Sequence, residues 1–394
     1  MRVAMVETGG WGGVAHYAWN LCQALAQEGA DVVLLTNIKY ELASLPSAFR
    51  VEPFFDGRVG YLRTAGAFLR RLAALAPDVV HVQSLISSRF DTLLWPLVRR
   101  RAPLVMTAHN VRSHEGLAWE AWTVWQSLQA ADAVIVHTQE SAQAVTAHLG
   151  TSGRIRVIHQ GDYAFFGADE MLEPRQARRL LDLPEGAWIV LAFGAIRPYK
   201  GILDLITAFP RIRARHGEAY LVIAGPLLVG TEETYRQAIK EAGIETAVVF
   251  RPQYVPHERV AAYFIAADVA VYNYRDVTDS GSLRIACSLG TPVVATAVGA
   301  FREFLTDGAT GRLVPPGSPG LLAQAISDLL SDPVGAARMA EAARAMSASL
   351  WSWADSARAT LDLYRTLVGL ESRNRARRPT MKGDGGPNLT RTLW

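Results

Sequence analysis

The feature that most constrains this chain is one pattern used twice: short apolar runs alternate with longer helix-period stretches. In the first half the runs fall at residues 3–6, 32–36, 79–82, 104–107, 133–136 and 156–158. In the second half they fall at 188–193, 220–224, 247–250, 269–272, 292–295 and 311–314. Amphipathic segments lie between them, among them 15–28, 59–74 and 119–130. Runs without a polar face suit strands covered on both sides, and repeated strand–helix–strand units build a parallel sheet. The expected fold is α/β: two doubly wound, Rossmann-like domains facing a central cleft, with binding loops at the carboxyl ends of the strands. Residues 161–181 interrupt the pattern and read as a linker. We assign 1–165 to the first domain and 166–350 to the second. A helical segment, 351–370, is expected to pack back on the first domain. The basic tail, 371–394, rich in Gly and Pro, is expected to be disordered.

Bulk properties narrow the function. A chain of 394 residues, half of them apolar, can bury two cores. No apolar run approaches the ~20 residues that span a bilayer. The opening Met1-Arg-Val-Ala-Met-Val6 runs straight into a glycine turn, without the pattern of a cleaved signal peptide. Cys22 and Cys287 lie in separate halves, so reduced thiols and a cytoplasmic protein are expected. The net charge is +3, but residues 371–394 hold six basic and two acidic residues, a net of +4, leaving the body at −1. That balance excludes a general nucleic-acid binder.

Two segments of the second half point to an anion. Thr278-Asp-Ser-Gly-Ser-Leu283 is a turn of small residues opening a helix that ends at Gly290. Such a helix start offers free N–H groups and the positive end of the helix dipole. Upstream, Phe193-Gly-Ala-Ile-Arg-Pro-Tyr-Lys-Gly201 places Arg197 and Lys200 just beyond a strand. Two cations and one helix N-terminus can hold a diphosphate, so a nucleotide-linked substrate is expected. A third turn, Thr8-Gly-Gly-Trp-Gly-Gly13, lacks the spacing of a dinucleotide fingerprint. Its four glycines are expected to bring backbone close to a ligand's charged group; a plain tight turn is the alternative.

Further motifs stand in order: His109 in Met106-Thr-Ala-His-Asn-Val111, Val157-Ile-His-Gln-Gly161, Gly290-Thr-Pro-Val-Val-Ala-Thr296, Val298-Gly-Ala300 with Glu303, and Thr306-Asp-Gly-Ala-Thr-Gly-Arg-Leu-Val-Pro-Pro316. With the glycine turn and residues 193–201, they resemble the retaining GT-B-fold glycosyltransferases of family four (glycosyl transferases group 1), over about residues 1–368. The resemblance implies a nucleotide-sugar donor held mainly by the second domain. Arg197 and Lys200 would bind the diphosphate together with N–H groups of Ser280, Gly281, Ser282 and Leu283. Tyr254 and Val255 would lie at the base, Glu303 near the ribose or sugar, and Gly12 and Gly13 beside the donor. His109 would lie near the sugar and complete a catalytic set with Arg197 and Lys200. Trp11, His114 and Glu115 would face the acceptor, a saccharide or lipid-linked molecule. The implied reaction is hexosyl transfer from a UDP- or GDP-sugar with retention of configuration, in polysaccharide or glycolipid assembly.

The chain departs from the family in one respect. Many members carry two glutamates eight positions apart before the Gly-x-Pro-Val segment; here those positions hold Val277 and Ile285. The chain looks like a subgroup with a Thr-x-Ser-Gly turn. A non-catalytic nucleotide-sugar-binding partner and a GT-B-like sugar-nucleotide epimerase are the alternatives. No Asp-x-Asp pair occurs in the sequence, and neither a metal nor another cofactor is expected. Contact with the inner face of a membrane is suggested by Arg63, Arg70 and Arg71 beside Tyr61, Leu62, Phe68, Leu69 and Leu72. Arg99-Arg100-Arg101 and the helically spaced Trp119, Trp122 and Trp125 add to it. Basic residues at an anionic leaflet contribute ~1 kcal/mol each. The alternative is helices packed on the sheet with arginines in water.

Overall fold

A computed structural model describes residues 1–85, 91–109, 118–167 and 172–377. Among these the first sheet has seven strands: β1 (Arg2–Val6), β2 (Asp31–Asn37), β3 (Arg50–Phe55), β4 (Val79–Val82), β5 (Leu104–Thr107), β6 (Ala133–Val136) and β7 (Ile155–Val157). Their order is β3-β2-β1-β4-β5-β6-β7. The second sheet has six: β8 (Trp188–Phe193), β9 (Ala219–Ala224), β10 (Val248–Arg251), β11 (Val269–Tyr272), β12 (Val293–Thr296) and β13 (Arg312–Val314), in the order β10-β9-β8-β11-β12-β13. The strand pairings are parallel.

The continuous apolar runs are explained by the covering on both faces. In β1, Ala4 and Val6 enter one core while Val3 and Met5 enter the other. In β8, Ile189 and Leu191 face one side and Val190 the opposite side. This is the two-residue period of a strand, with both faces buried. β3, at one edge of the sheet, escapes the sequence pattern because Arg50, Glu52 and Pro53 interrupt it, and among its residues only Phe55 is buried. An edge position tolerates proline because one side needs no partner.

Two expectations about the joints need correction. The stretch read as a linker contains the helix Pro174–Leu180, which starts with a capping box formed by Glu173 and Gln176. Its Ala177 lies in the core of the second domain, where Tyr163 is already buried as well. The tail does not begin at 371, because the last helix runs Trp353–Arg377. Nothing in 371–377 breaks a helix, and propagation costs little once a helix has started; the first proline beyond is Pro379. Residues 378–394 lie outside the described residues. That helix places Ala357, Leu361 and Tyr364 in the core beneath the first sheet. Its start is clamped to the crossing between domains: Trp353 Nε1 donates to Asp162 O at 2.6 Å. A Cβ on Gly161 would strike the Trp353 ring at 2.2 Å, so only glycine fits there. No helix among the described residues is long and apolar enough to cross a membrane.

Candidate active site

In each sheet the strand order reverses at one point, between β1 and β4 and between β8 and β11. Ligands of doubly wound sheets bind there, outside the carboxyl ends of the strands. β8 ends in Gly194, at φ +108°, and the chain then makes a short 3-10 turn, Pro198–Lys200. Gly201 follows at φ +63°, and a Cβ there would lie 2.0 Å from the Asn273 carbonyl oxygen at the end of β11. The tight passage folds Lys200 back over Gly194. A Cβ on Gly194 would lie 3.0 Å from Lys200 Nζ and 4.0 Å from Ser282 Cβ. The ammonium and the first turn of helix Gly281–Leu289 therefore flank the same glycine.

Lys200 Nζ stands 5.1 Å from the Tyr274 ring centre, and no carboxylate pairs with it among the described residues. Desolvation pushes its pKa below that of an ordinary lysine; Tyr199 opposes the shift and the Arg197 charge adds to it. Arg197 is partly buried at the start of the same turn. The helix start is less open than the sequence implies. Ser280 Oγ accepts from the Leu283 N–H at 3.2 Å, and Asp279 Oδ1 accepts from the Ser280 N–H at 2.7 Å. These two N–H groups are spent on capping, and the Leu283 side chain is fully buried. Gly281 and Ser282 keep N–H groups with no acceptor among the described residues. Ser282 is fixed by its Oγ, which donates to Phe193 O at 3.2 Å, and by Tyr272 Oη, which donates to Ser282 O at 2.7 Å.

Beneath the turn lies a pair that sequence reasoning missed. Arg284 is 0% exposed, with Nε 3.4 Å from Asp279 Oδ1. Its guanidinium lies against the rings of both Phe304 and Trp351, 4.4 and 4.3 Å from their centres. Gln160 Nε2 of the domain crossing donates to the other Asp279 oxygen. Val277 and Ile285, at the positions of the absent glutamates, are both core residues. The charge partner of Arg284 is local, but nothing local signals its burial, because Gln160, Phe304 and Trp351 close over it from three separate segments.

Across the cleft, the glycine turn behaves differently. Glu7, 1% exposed, accepts from the N–H groups of Gly9 and Gly10, both at 2.8 Å. Glu41 accepts from the Gly12 N–H at 2.7 Å, and His16 Nε2 lies 2.9 Å from it. Desolvation raises the Glu41 pKa, but the neighbouring His16, with bonds from Tyr254 and Gly12, outweighs it and holds the pKa below the usual carboxylate range. Tyr254 reaches over from the second domain to donate to Glu41 and packs edge-on against Trp11 at 5.1 Å. These contacts correct three expectations. The Gly12 N–H is occupied, Tyr254 faces the first domain, and Val255 is a core side chain. Gly13 borders open space. Glu303 is exposed on helix Gly299–Phe304. His114 and Glu115 lie outside the described residues.

His109 follows β5, and its Nε2 lies 2.9 Å from Gln83 Oε1. Its ring packs edge-on to Tyr17 at 4.7 Å. Desolvation, with His137 and His81 nearby, pushes its pKa well below the usual histidine value. It is therefore neutral near pH 7, able to donate or accept a hydrogen bond but not to act as a cation.

Residues 175–346 match the family model of the glycosyl transferases group 1, and residues 11–161 that of Glycosyltransferase Family 4. A D-inositol 3-phosphate glycosyltransferase of Mycobacterium tuberculosis is 31% identical over 417 residues, covering 95% of this chain and 83% of its own. The chain belongs to the group 1, family 4 glycosyltransferases. Its relative of the same description in Corynebacterium glutamicum is 28% identical over 94% of this chain and 98% of its own. Among solved folds, a sucrose-phosphate synthase of Thermosynechococcus elongatus superposes with a TM-score of 0.75 at 23% identity, over 94% of this chain and 100% of that one. An Anabaena protein, HepE, solved with UDP and glucose, gives 0.75 at 20% identity, over 95% and 100%. The architecture of this glycosyltransferase is GT-B.

Proposed function

We propose that this glycosyltransferase takes a hexosyl group from a nucleoside-diphosphate sugar and transfers it, with retention and without a metal, to a hydroxyl of a saccharide or lipid-linked acceptor. The observation that carries the reading is the meeting of Lys200 Nζ and Ser282, in the first turn of helix Gly281–Leu289, at Gly194. When the anomeric C–O bond breaks, its electron pair leaves on the diphosphate. Fixed donors aimed at that oxygen stabilise the transition state, typically by several kcal/mol for one strong donor. Arg197 supplies a second, planar cation. Neutral His109 suits contact with the uncharged sugar. A uridine donor is favoured by the HepE structure holding UDP, and a polyol or sugar acceptor by the inositol 3-phosphate relatives.

We place the enzyme in the cytoplasm at the inner face of the membrane. Leu62 and Leu93, 85% and 75% exposed, border an apolar groove of about 920 Å³. Arg63 lines the same groove and is exposed, as is Arg100 just beyond helix Asp91–Arg99. Trp122 is also exposed, whereas Trp125 stacks on His148 at 3.9 Å.

The test is a thermal-shift screen against UDP, GDP and their sugars with EDTA present, followed by turnover of any donor that shifts the transition. A donor at 100 times its Kd stabilises by ~2.7 kcal/mol. A shift without EDTA only would overturn the metal-free reading. A shift with no turnover of free-sugar, polyol and lipid-linked acceptors would favour a non-catalytic binding partner.

A further inference from the structure

Behind His109 runs a buried chain of polar side chains that the transfer chemistry above does not use. It begins on the last helix. Tyr364 Oη lies 2.6 Å from His81 Nδ1. His81 Nε2 lies 2.7 Å from Thr107 Oγ1 and 3.1 Å from Gln83 Nε2. Gln83 Nε2 also approaches Met5 Sδ at 3.1 Å, and Gln83 Oε1 meets His109 Nε2 at 2.9 Å. Tyr364 and His81 are 0% exposed and Gln83 is 4% exposed.

The contact with Met5 orients the Gln83 amide and thereby assigns the imidazole protons of His81 and His109. A thioether only accepts, so the amide nitrogen of Gln83 is the atom facing Met5 and His81. That nitrogen only donates, so His81 Nε2 carries no proton. The proton of His81 is therefore on Nδ1, donated to Tyr364. The amide oxygen of Gln83 only accepts, so the proton of His109 is on Nε2. Its Nδ1 is left as a lone pair with no partner among the described residues.

We propose that Gln83 is a positioning residue that locks His109 in the Nε2–H tautomer, so that Nδ1 accepts a hydrogen bond from a substrate hydroxyl. Tyr364, acting through His81, holds Gln83 in the required orientation. This rests on the reading of a sugar beside His109. Flipping the Gln83 amide would reverse both tautomers and leave His109 presenting a donor to a hydroxyl, while the amide nitrogen would lose its acceptor at Met5. The last helix thus reaches the site by hydrogen bonds, besides packing under the first sheet.

The experiment is nitrogen-15 NMR of the full chain with labelled histidine, the His109 signals being assigned by their loss in His109→Asn. In the unsubstituted protein Nε2 should show the shift of a protonated ring nitrogen and Nδ1 that of a bare one. Gln83→Leu should mix the tautomers and lower kcat by about tenfold with donor KM within about threefold, as expected for one net hydrogen bond. Tyr364→Phe should shift the tautomer in the same direction, and it carries the test if Gln83→Leu does not fold. A protonated Nδ1 in the unsubstituted protein, or substitutions that leave tautomer or kcat unchanged, would overturn the proposal. The NMR result needs no substrate, so a wrong tautomer is distinguishable from a failure of the transfer reading.

Discussion

Two turns of this molecule are built alike and do opposite things with their N–H groups. Residues 8–13 and 278–283 both follow a strand, both consist largely of small residues, and both open a helix. In the first, Glu7 and Glu41 supply carboxylates to Gly9, Gly10 and Gly12. In the second, Gly281 and Ser282 stay open and Lys200 stands against the same glycine as Ser282. An anion entering the cleft meets negative charge at one wall and positive charge at the other. A helix N-terminus becomes an anion site only where the protein has not already filled it.

The comparison can be broken most severely at the buried pair under the second turn. Asp279→Ala leaves Arg284 charged and fully buried, which should cost ~3–5 kcal/mol in urea unfolding. A loss below about 1 kcal/mol would mean that water reaches the guanidinium. Next in size, Lys200→Ala should lower kcat by ~10²–10³-fold with the melting temperature unchanged. Near-normal turnover at normal donor affinity would remove the phosphate role from Lys200.

The pH dependence of donor affinity sharpens the same point. Burial lowers the Lys200 pKa, and only the ammonium attracts the diphosphate. UDP affinity measured by calorimetry should therefore fall as pH rises through a value below that of an ordinary lysine. Lys200→Arg should remove the fall, because a guanidinium stays charged. A flat profile in the unsubstituted enzyme would contradict this. A smaller effect is expected from Ser280→Ala, which deletes the cap of helix Gly281–Leu289 and should cost ~1 kcal/mol. The smallest belongs to the opposite turn. Tyr254→Phe removes a partly exposed bond across the cleft mouth, worth ~1 kcal/mol or less. Its readout is a larger radius of gyration by X-ray scattering without donor; an unchanged radius would show that Tyr254 does not hold the domains together.

Much of the fold was legible because its signals are local. A run such as Val-Ile-Val or Val-Val-Ala reads as a covered strand wherever it lands, and among the described residues twelve of the thirteen strands lie where the sequence shows an apolar run, the partly buried edge strands β7, β10 and β13 included. β3 did not, since Arg50, Glu52 and Pro53 break its apolar run. The linker and tail were misjudged for the same kind of reason: a helix of seven residues, Pro174–Leu180, is too short to show a period, and a basic segment without glycine or proline simply continues the helix before it.

At the site, the sequence by itself determined where cations and open helix starts would gather, because Arg197, Lys200 and the Ser-Gly-Ser turn each carry their chemistry in a few neighbouring residues. Only the tertiary structure decided which N–H groups remain to be used. Glu41 lies 213 positions from the Tyr254 that reaches it, and Gln160 lies 119 from the Asp279 it binds. Each N–H donates essentially one strong bond, so whether it serves a ligand or the protein depends on which acceptor the folded chain brings to it first.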